Sequence, residues 1–296
     1  MPEGPEIRIM SEFINRVAKD KKFSKIEISD KYHYNFGKIE TPFTIESDYN
    51  GKELKLILNG KSFIMNMGMS GYWFLNIKRT DLCIPYMIES VHTHIKLWID
   101  ENSYLGMNDT RRFSRIREGD FSKERGPDLS KDIMYDYQMA ICNIIENINK
   151  KDFDKPLYEL LMNQKYFNGT GNYIRAESLY RCRYNPFLSL RDIIGEKDNL
   201  KRVYIYSPVI ELCLIIRNVI LESYDVGGAT LREWHNPDEL SIGNDTKEKF
   251  ESWRKCYGNK EMSKIKDKQG RTFWFDPKWK TIWKSLTEKQ SINMTY

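Results

Sequence analysis

After one opening helix, hydrophobic periodicity runs at two through the first part of this chain and turns helical in the second, which restricts it to folds in which strands and helices are segregated. From about Phe23 to Arg112 the period is two. Leu54, Leu56 and Leu58 alternate with Glu53, Lys55 and Ile57, the pattern of a strand with one buried face. That run meets Asn59-Gly60, the strongest short hairpin signal, and Phe63, Met65 and Met67 supply its partner. A further run, His94 to Asp100, sends Ile95, Leu97 and Ile99 to one face. Strand patterning stops near Phe121, the segment Glu124-Arg125-Gly126-Pro127-Asp128 carries breaker residues, and from Ile133 onward the period is helical. Ahead of the strands, Met10, Phe13, Ile14 and Val17 share one face of an amphipathic helix with Pro5 in its first turn. The expected class is therefore α+β, with an N-terminal helix plus β-sandwich over 1–128 and a helical domain over 129–296. Helices are expected at 133–148, 154–166, 172–183 and 208–222, the last with Ser207 as N-cap.

Composition matters here mainly for what it excludes. The five cysteines are odd in number and scattered, with no Cys-x-x-Cys pair, which argues for a reducing compartment and against a cysteine-rich zinc site. The most apolar stretch, Val203 to Leu221, is broken by Glu211 and Arg217 and reads as a buried helix rather than a membrane span. No apolar signal segment opens the chain, so a soluble intracellular protein is expected. The net charge of +5 suits a polyanionic partner without requiring one.

Chemistry concentrates at the very start. A small residue after Met1 permits removal of the initiator, which would leave the secondary amine of Pro2 at the chain end. Attack of such an amine on a sugar C1′ forms an iminium ion, which severs a glycosidic bond and acidifies the C2′ protons. The positive end of the helix that follows disfavours the ammonium form and lowers the amine pKa from about 8. Glu3 stands beside it as a proton shuttle, a role that needs desolvation because the same helix end stabilises its anion. Alone, each of these residues also fits a plain start of translation and an acidic complement to a helix dipole. Lys52 opens a strand and could hold a phosphate or deliver a proton. Farther on, Asn168-Gly169-Thr170-Gly171 joins two helical segments, with Asn172 placed to cap the second. Such a turn is expected to expose backbone N–H groups to a phosphate.

The run Met1-Pro2-Glu3-Gly4-Pro5-Glu6 resembles the start of the formamidopyrimidine-DNA glycosylase and endonuclease VIII family. Further blocks fall in family order: Gly51-Lys52-Glu53-Leu54, Gly68-Met69-Ser70-Gly71, Asp109-Thr110-Arg111-Arg112-Phe113 and Phe167 through Glu177. The resemblance implies a base-excision glycosylase with lyase activity that removes oxidised pyrimidines and ring-opened purines and nicks the strand by β,δ-elimination. Pro2, Glu3 and Lys52 would be catalytic. Asn172, Arg271 and Lys155 would contact DNA, and Met69, Arg111 and Phe113 would fill the void left by the flipped base, with Leu82 as an alternative third filler. The helical domain would hold a helix–two-turn–helix, with duplex DNA carrying an oxidised base or abasic site in the cleft between domains. In the tail, about 250–283, Trp253 to Gly258 and Gly270 to Phe275 resemble the zincless finger of the endonuclease VIII-like 1 type, where Cys256 alone cannot build a tetrahedral metal site. No metal or organic cofactor is expected, and the protein would act as a monomer. Two rivals are a non-catalytic damaged-DNA binder of the same fold and an RNA-binding helical-hairpin protein.

Overall fold

The computed structural model describes residues 2–34, 36–77, 91–131, 134–198, 207–229 and 244–280. Helix α1 (Gly4–Ala18) comes first, followed by strands β1 (Lys25–Ile28), β2 (Ile45–Asn50), β3 (Glu53–Leu58), β4 (Lys61–Asn66), β5 (Gly71–Ile77), β6 (Thr93–Trp98), β7 (Ser103–Asp109) and β8 (Arg115–Glu118). They form two antiparallel four-stranded sheets, in the orders β1-β6-β7-β5 and β2-β3-β4-β8. The alternation read along β3 holds. Leu54 and Leu56 pair with Met65 and Phe63, and these side chains enter one core with Trp73, Ile95, Leu97, Leu105 and Met107 of the other sheet. Asn59 and Gly60 both adopt positive φ between β3 and β4, which is what a two-residue hairpin turn matching strand twist requires. Helix α1 contributes Ile7, Met10, Phe13, Ile14 and Val17 to the same core, each burial worth roughly 1.5–3 kcal/mol. One polar position departs from the alternation: Glu53 is buried, and its carboxylate accepts the N–H and hydroxyl of Ser122 at 2.9 and 2.6 Å.

The helical part runs α2 (Met134–Asn147), α3 (Leu157–Leu160), α4 (Asn172–Cys182), α5 (Leu190–Asp198), α6 (Ser207–Asp225) and α7 (Asn244–Trp253), then the hairpin β9 (Ser263–Lys266) and β10 (Thr272–Phe275). The helix expected over 154–166 is corrected to a 3₁₀ turn at Lys151–Asp154 and the single turn of α3. Its continuation is diverted where the Asn163 side chain accepts the Lys165 N–H, a local bond that competes with the helical ladder. Helices α5 and α7 lie outside the segments that periodicity marks as helical. Helix α6 spans the apolar stretch, burying Val209, Leu212, Cys213, Ile216, Val219 and Ile220. Among the described residues no helix is long and apolar enough to cross a membrane.

Two compact units result, one of Met1–Lys123 with Ser223–Glu251 and the other of Glu124–Glu222 with Ser252–Tyr296. A single cut at 128 therefore misses the return of 223–251 to the first unit. The attachment is specific: the Tyr224 hydroxyl donates to the Glu12 carboxylate, and the Arg8 guanidinium lies 4.0 Å over the Tyr224 ring.

Candidate catalytic and DNA-contacting site

Pro2 sits half-buried directly before α1, and residues 3 through 7 are all buried. This helix end is a constructed feature. Glu3 is the N-cap residue and only 1% exposed. Its N–H donates to Glu6 Oε2 at 2.7 Å, while Glu6 Oε1 accepts the Ala229 N–H at 2.7 Å. Gly227 and Gly228 take positive φ just after α6. There they hand the chain to Glu6, and a Cβ on Gly228 would stand 2.4 Å from Glu6 Oε1. Met1, Leu82 and residues 230–236 lie outside the described residues.

Lys52 does not open a strand. With Gly51 at φ +56 it forms the two-residue turn between β2 and β3, closed by the Asn50–Glu53 pair. The hairpin is fixed to α1 by Asn15, whose side-chain amide donates to the Ser47 carbonyl at 2.8 Å and accepts the Ser47 N–H at 2.7 Å.

Met69 and Phe113 are 42% and 52% exposed, so neither side chain is part of the core. Arg111 is exposed as well, with its guanidinium 4.8 Å over the Phe113 ring. The two turns that carry these residues touch through Gly68. A Cβ there would meet the Phe113 carbonyl carbon at 2.6 Å and the Ser114 nitrogen at 2.8 Å, at φ +58. Gly68→Ala is therefore expected to lower unfolding free energy by more than the ~1–3 kcal/mol of backbone strain, whereas Gly60→Ala, with nothing within 4 Å of its Cβ, should show the strain alone. Urea unfolding of the two variants checks this. Beside the turns lies a cavity of about 650 Å³ lined in part by Lys31, Tyr32, His33, Tyr34 and Arg115.

In the second unit, the glycine-rich turn is buried rather than exposed. The N–H of Gly169 donates to Gln164 Oε1 at 3.2 Å, and that of Thr170 to the Phe167 carbonyl at 3.2 Å. Gly171 is the N-cap and Asn172 the first helical residue, so Asn172 does not cap. Its amide donates to the Thr272 carbonyl at 2.8 Å and accepts from Arg175 at 2.6 Å, which ties α4 to the hairpin. Lys155 is paired with Asp152 at 2.6 Å. Arg271 lies at the hairpin turn, its Nε on Asp267 at 2.8 Å and Nη2 on Gln269 at 2.7 Å.

Two side chains of α4 that the motif contained, but to which no role fell, hold this hairpin. Arg175 is fully buried and pairs with Asp267 at 3.0 Å. Glu177, also fully buried, accepts the N–H groups of Lys255, Cys256 and Tyr257 at 2.9, 2.8 and 2.8 Å. Aromatic packing adds to them: Phe273 stacks on Tyr158 with centroids 5.1 Å apart, and Phe187 meets Phe275 edge-on at 5.0 Å. Among the described residues no group of three or more His, Cys, Asp or Glu side chains is placed to hold a metal.

Two antiparallel sheets sharing a core with an N-terminal helix, joined to a helical unit with a β-hairpin, is the fold of the formamidopyrimidine-DNA glycosylases. The MutM (Fpg) protein of Thermus thermophilus superposes with a TM-score of 0.69 at 22% identity, covering 94% of this chain and 98% of that one. A Lactococcus lactis Fpg in complex with DNA containing an abasic site gives 0.69 at 20% identity, covering 94% and 98%. Residues 1–116 match the formamidopyrimidine-DNA glycosylase N-terminal domain, and 248–278 match the DNA-binding segment of endonuclease VIII-like 1. The human endonuclease 8-like 1 is 29% identical over 93% of this chain and 72% of its own length. Over residues 1–116 and 248–278 the chain is thus similar to the formamidopyrimidine-DNA glycosylase and endonuclease VIII family.

Proposed function

We propose that the protein is a bifunctional DNA glycosylase and abasic-site lyase that excises oxidised pyrimidines and ring-opened purines. The observation that carries this is the built N-terminus. A dispensable chain start would not be buried from residue 3 to residue 7 with its cap locked by Glu6. Partial burial and the helix end both favour the neutral Pro2 amine in the protein that has lost Met1. The amine attacks C1′, the base departs with a proton managed by Glu3, and the resulting iminium makes the C2′ proton removable, so that the 3′ and then the 5′ phosphate are eliminated. Lys52 belongs to the same chemistry. The Asn15–Ser47 bonds hold the β2–β3 hairpin, whose turn carries Lys52, against the helix that follows Pro2. Lys52, Lys155 and Arg271 neutralise phosphates, the helix end at Asn172 faces the DNA backbone, and Met69, Arg111 and Phe113 replace the flipped base in the stack.

Borohydride reduction in the presence of duplexes carrying thymine glycol, a hydantoin or an abasic site tests the chemistry, and a covalent adduct is expected. Tight binding without an adduct on any of them would leave a non-catalytic damaged-DNA binder. Phe113→Ala separates packing from stacking. Stability should change by less than about 0.5 kcal/mol at so exposed a site, while affinity for an abasic duplex should fall about tenfold, within the ~1–3 kcal/mol of an aromatic–base stack. Thermal melts and fluorescence-anisotropy titrations read the two effects.

A further inference from the structure

The family match gives Asp109 no task, yet among the described residues it organises the turns that carry the void-filling side chains. It ends β7 fully buried, and the four residues that follow it, Thr110 to Phe113, are exposed. One carboxylate oxygen accepts the Ser70 hydroxyl at 2.5 Å and the Arg111 N–H at 3.2 Å. The other accepts the N–H and hydroxyl of Ser114 at 2.8 and 2.6 Å. Ser70 directly follows Met69, while Arg111 and Ser114 bracket the turn that presents Phe113. The link extends outward: the Ser70 hydroxyl also receives the Arg111 N–H at 3.0 Å, and Ser114 bonds the Tyr32 hydroxyl at 2.8 Å. Tyr32 stacks on His94 with centroids 5.4 Å apart, and His94 Nε2 lies 3.0 Å from the Asp109 carbonyl. Burial pushes the Asp109 carboxyl up, but its four donors outweigh that and hold it below the usual carboxylate value. It is therefore an anion that accepts at every bond it makes.

We propose that Asp109 is a positioning residue for base flipping, its carboxylate clamping the Met69 turn and the Arg111–Phe113 turn into one rigid wedge. The Phe113 side chain is half exposed, and Arg112 between it and Arg111 stands at φ +54, so contacts of the fillers themselves do not explain why the turns hold one shape. Four hydrogen bonds converging on a single buried carboxylate do. A wedge misplaced by an ångström can cost about 100-fold in rate, and only where there is a stack to enter.

That last condition supplies the test, which rests on the glycosylase reading in one arm and is independent of it in the other. In the first arm, Asp109→Asn, Asp109→Ala, Ser70→Ala and the parent protein are compared on an abasic site in duplex and in single-stranded DNA by borohydride trapping. Asp109→Ala should lose about 100-fold on the duplex and less than about threefold on the single strand, with Asp109→Asn and Ser70→Ala in between. Equal losses on both substrates would mean a general folding role and overturn the proposal. Ser70→Ala removes one donor from a half-exposed turn, so it stays informative if the Asp109 variants fail to fold. In the second arm, 2-aminopurine is placed beside a tetrahydrofuran abasic analogue, and its fluorescence change on saturating binding is compared between Ser70→Ala, Asp109→Asn and the parent. Unchanged fluorescence in both variants would overturn the proposal. Absence of trapping by the parent would instead refute the glycosylase chemistry, leaving this arm to decide the role of Asp109.

Discussion

A protein carrying a few extra residues ahead of Pro2 should form no borohydride adduct and nick damaged duplex at less than about one-thousandth of the parent rate, because the attacking amine is gone. Its affinity for the same duplex should stay within about threefold. The separation follows from where the parts lie. The groups proposed to read DNA are on turns and helix ends far along the chain, whereas the proposed nucleophile is one atom whose reactivity depends on being the chain end. Acylating that nitrogen turns it into an amide with no basic lone pair, without touching Met69, Arg111, Phe113 or Arg271. Pro2→Gly is the graded control. Its primary amine still forms an imine, so trapping should survive at a reduced rate, and the nearly enclosed Glu3 remains in place. The measurement is single-turnover nicking and trapping on a thymine glycol duplex, alongside anisotropy binding. Full trapping by the extended form would move the nucleophile to a lysine, with Lys52 the first to replace.

How much of this was legible in the sequence depended on how local each signal was. The β3–β4 hairpin was readable because alternation and Asn59-Gly60 lie within fourteen residues of one another, and the α1 face was readable for the same reason. Helix α5 carried a local signal too. Ser189 and Asp192 make a reciprocal cap, with the hydroxyl 2.7 Å from the carboxylate and the Asp192 N–H donating back at 3.1 Å, so a Ser-x-x-Asp start was there to be found. What pattern reading could not reach were polar residues whose partners are remote. Glu53 reads as the solvent side of a strand, and Glu177 as the polar face of a helix, until the fold brings Ser122 to one and Cys256, 79 residues away, to the other. The exposure of Met69 and Phe113 was equally closed to sequence, because an apolar residue at a turn looks the same whether it packs inward or stands out.

The second large effect is expected at the buried pair that anchors the hairpin. Arg175 donates to the Tyr158 carbonyl at 2.9 Å and to Asn172 at 2.6 Å, lies 5.1 Å over the Phe273 ring, and meets Asp267 at 3.0 Å. Asp267 in turn holds the N–H groups of Gln269 and Arg271 at 3.0 and 2.9 Å, so one carboxylate shapes the turn that presents Arg271. Arg175→Met keeps the volume and removes the charge, leaving Asp267 buried with a single cation. A loss of about 3–5 kcal/mol at pH 7 is expected for breaking such a pair from one side. Arg271→Ala, by contrast, should cost far less stability, because its side chain is 32% exposed, and should weaken DNA binding instead. Acid sets the sign of a further check. Burial raises the Asp267 carboxyl, but the Arg271 bonds and the Arg175 charge prevail and hold it below its ordinary value. A depressed folded value means that the stabilisation is complete above the unfolded value of about 3.9 and disappears as pH falls through the folded one. The gap between parent and Arg175→Met should therefore be constant from pH 7 to pH 5 and close only below about pH 4. Urea unfolding followed by tryptophan fluorescence at these pH values reads it, and a gap under about 1 kcal/mol at pH 7 would show that the aromatic stack, rather than the ion pair, holds the hairpin to α4.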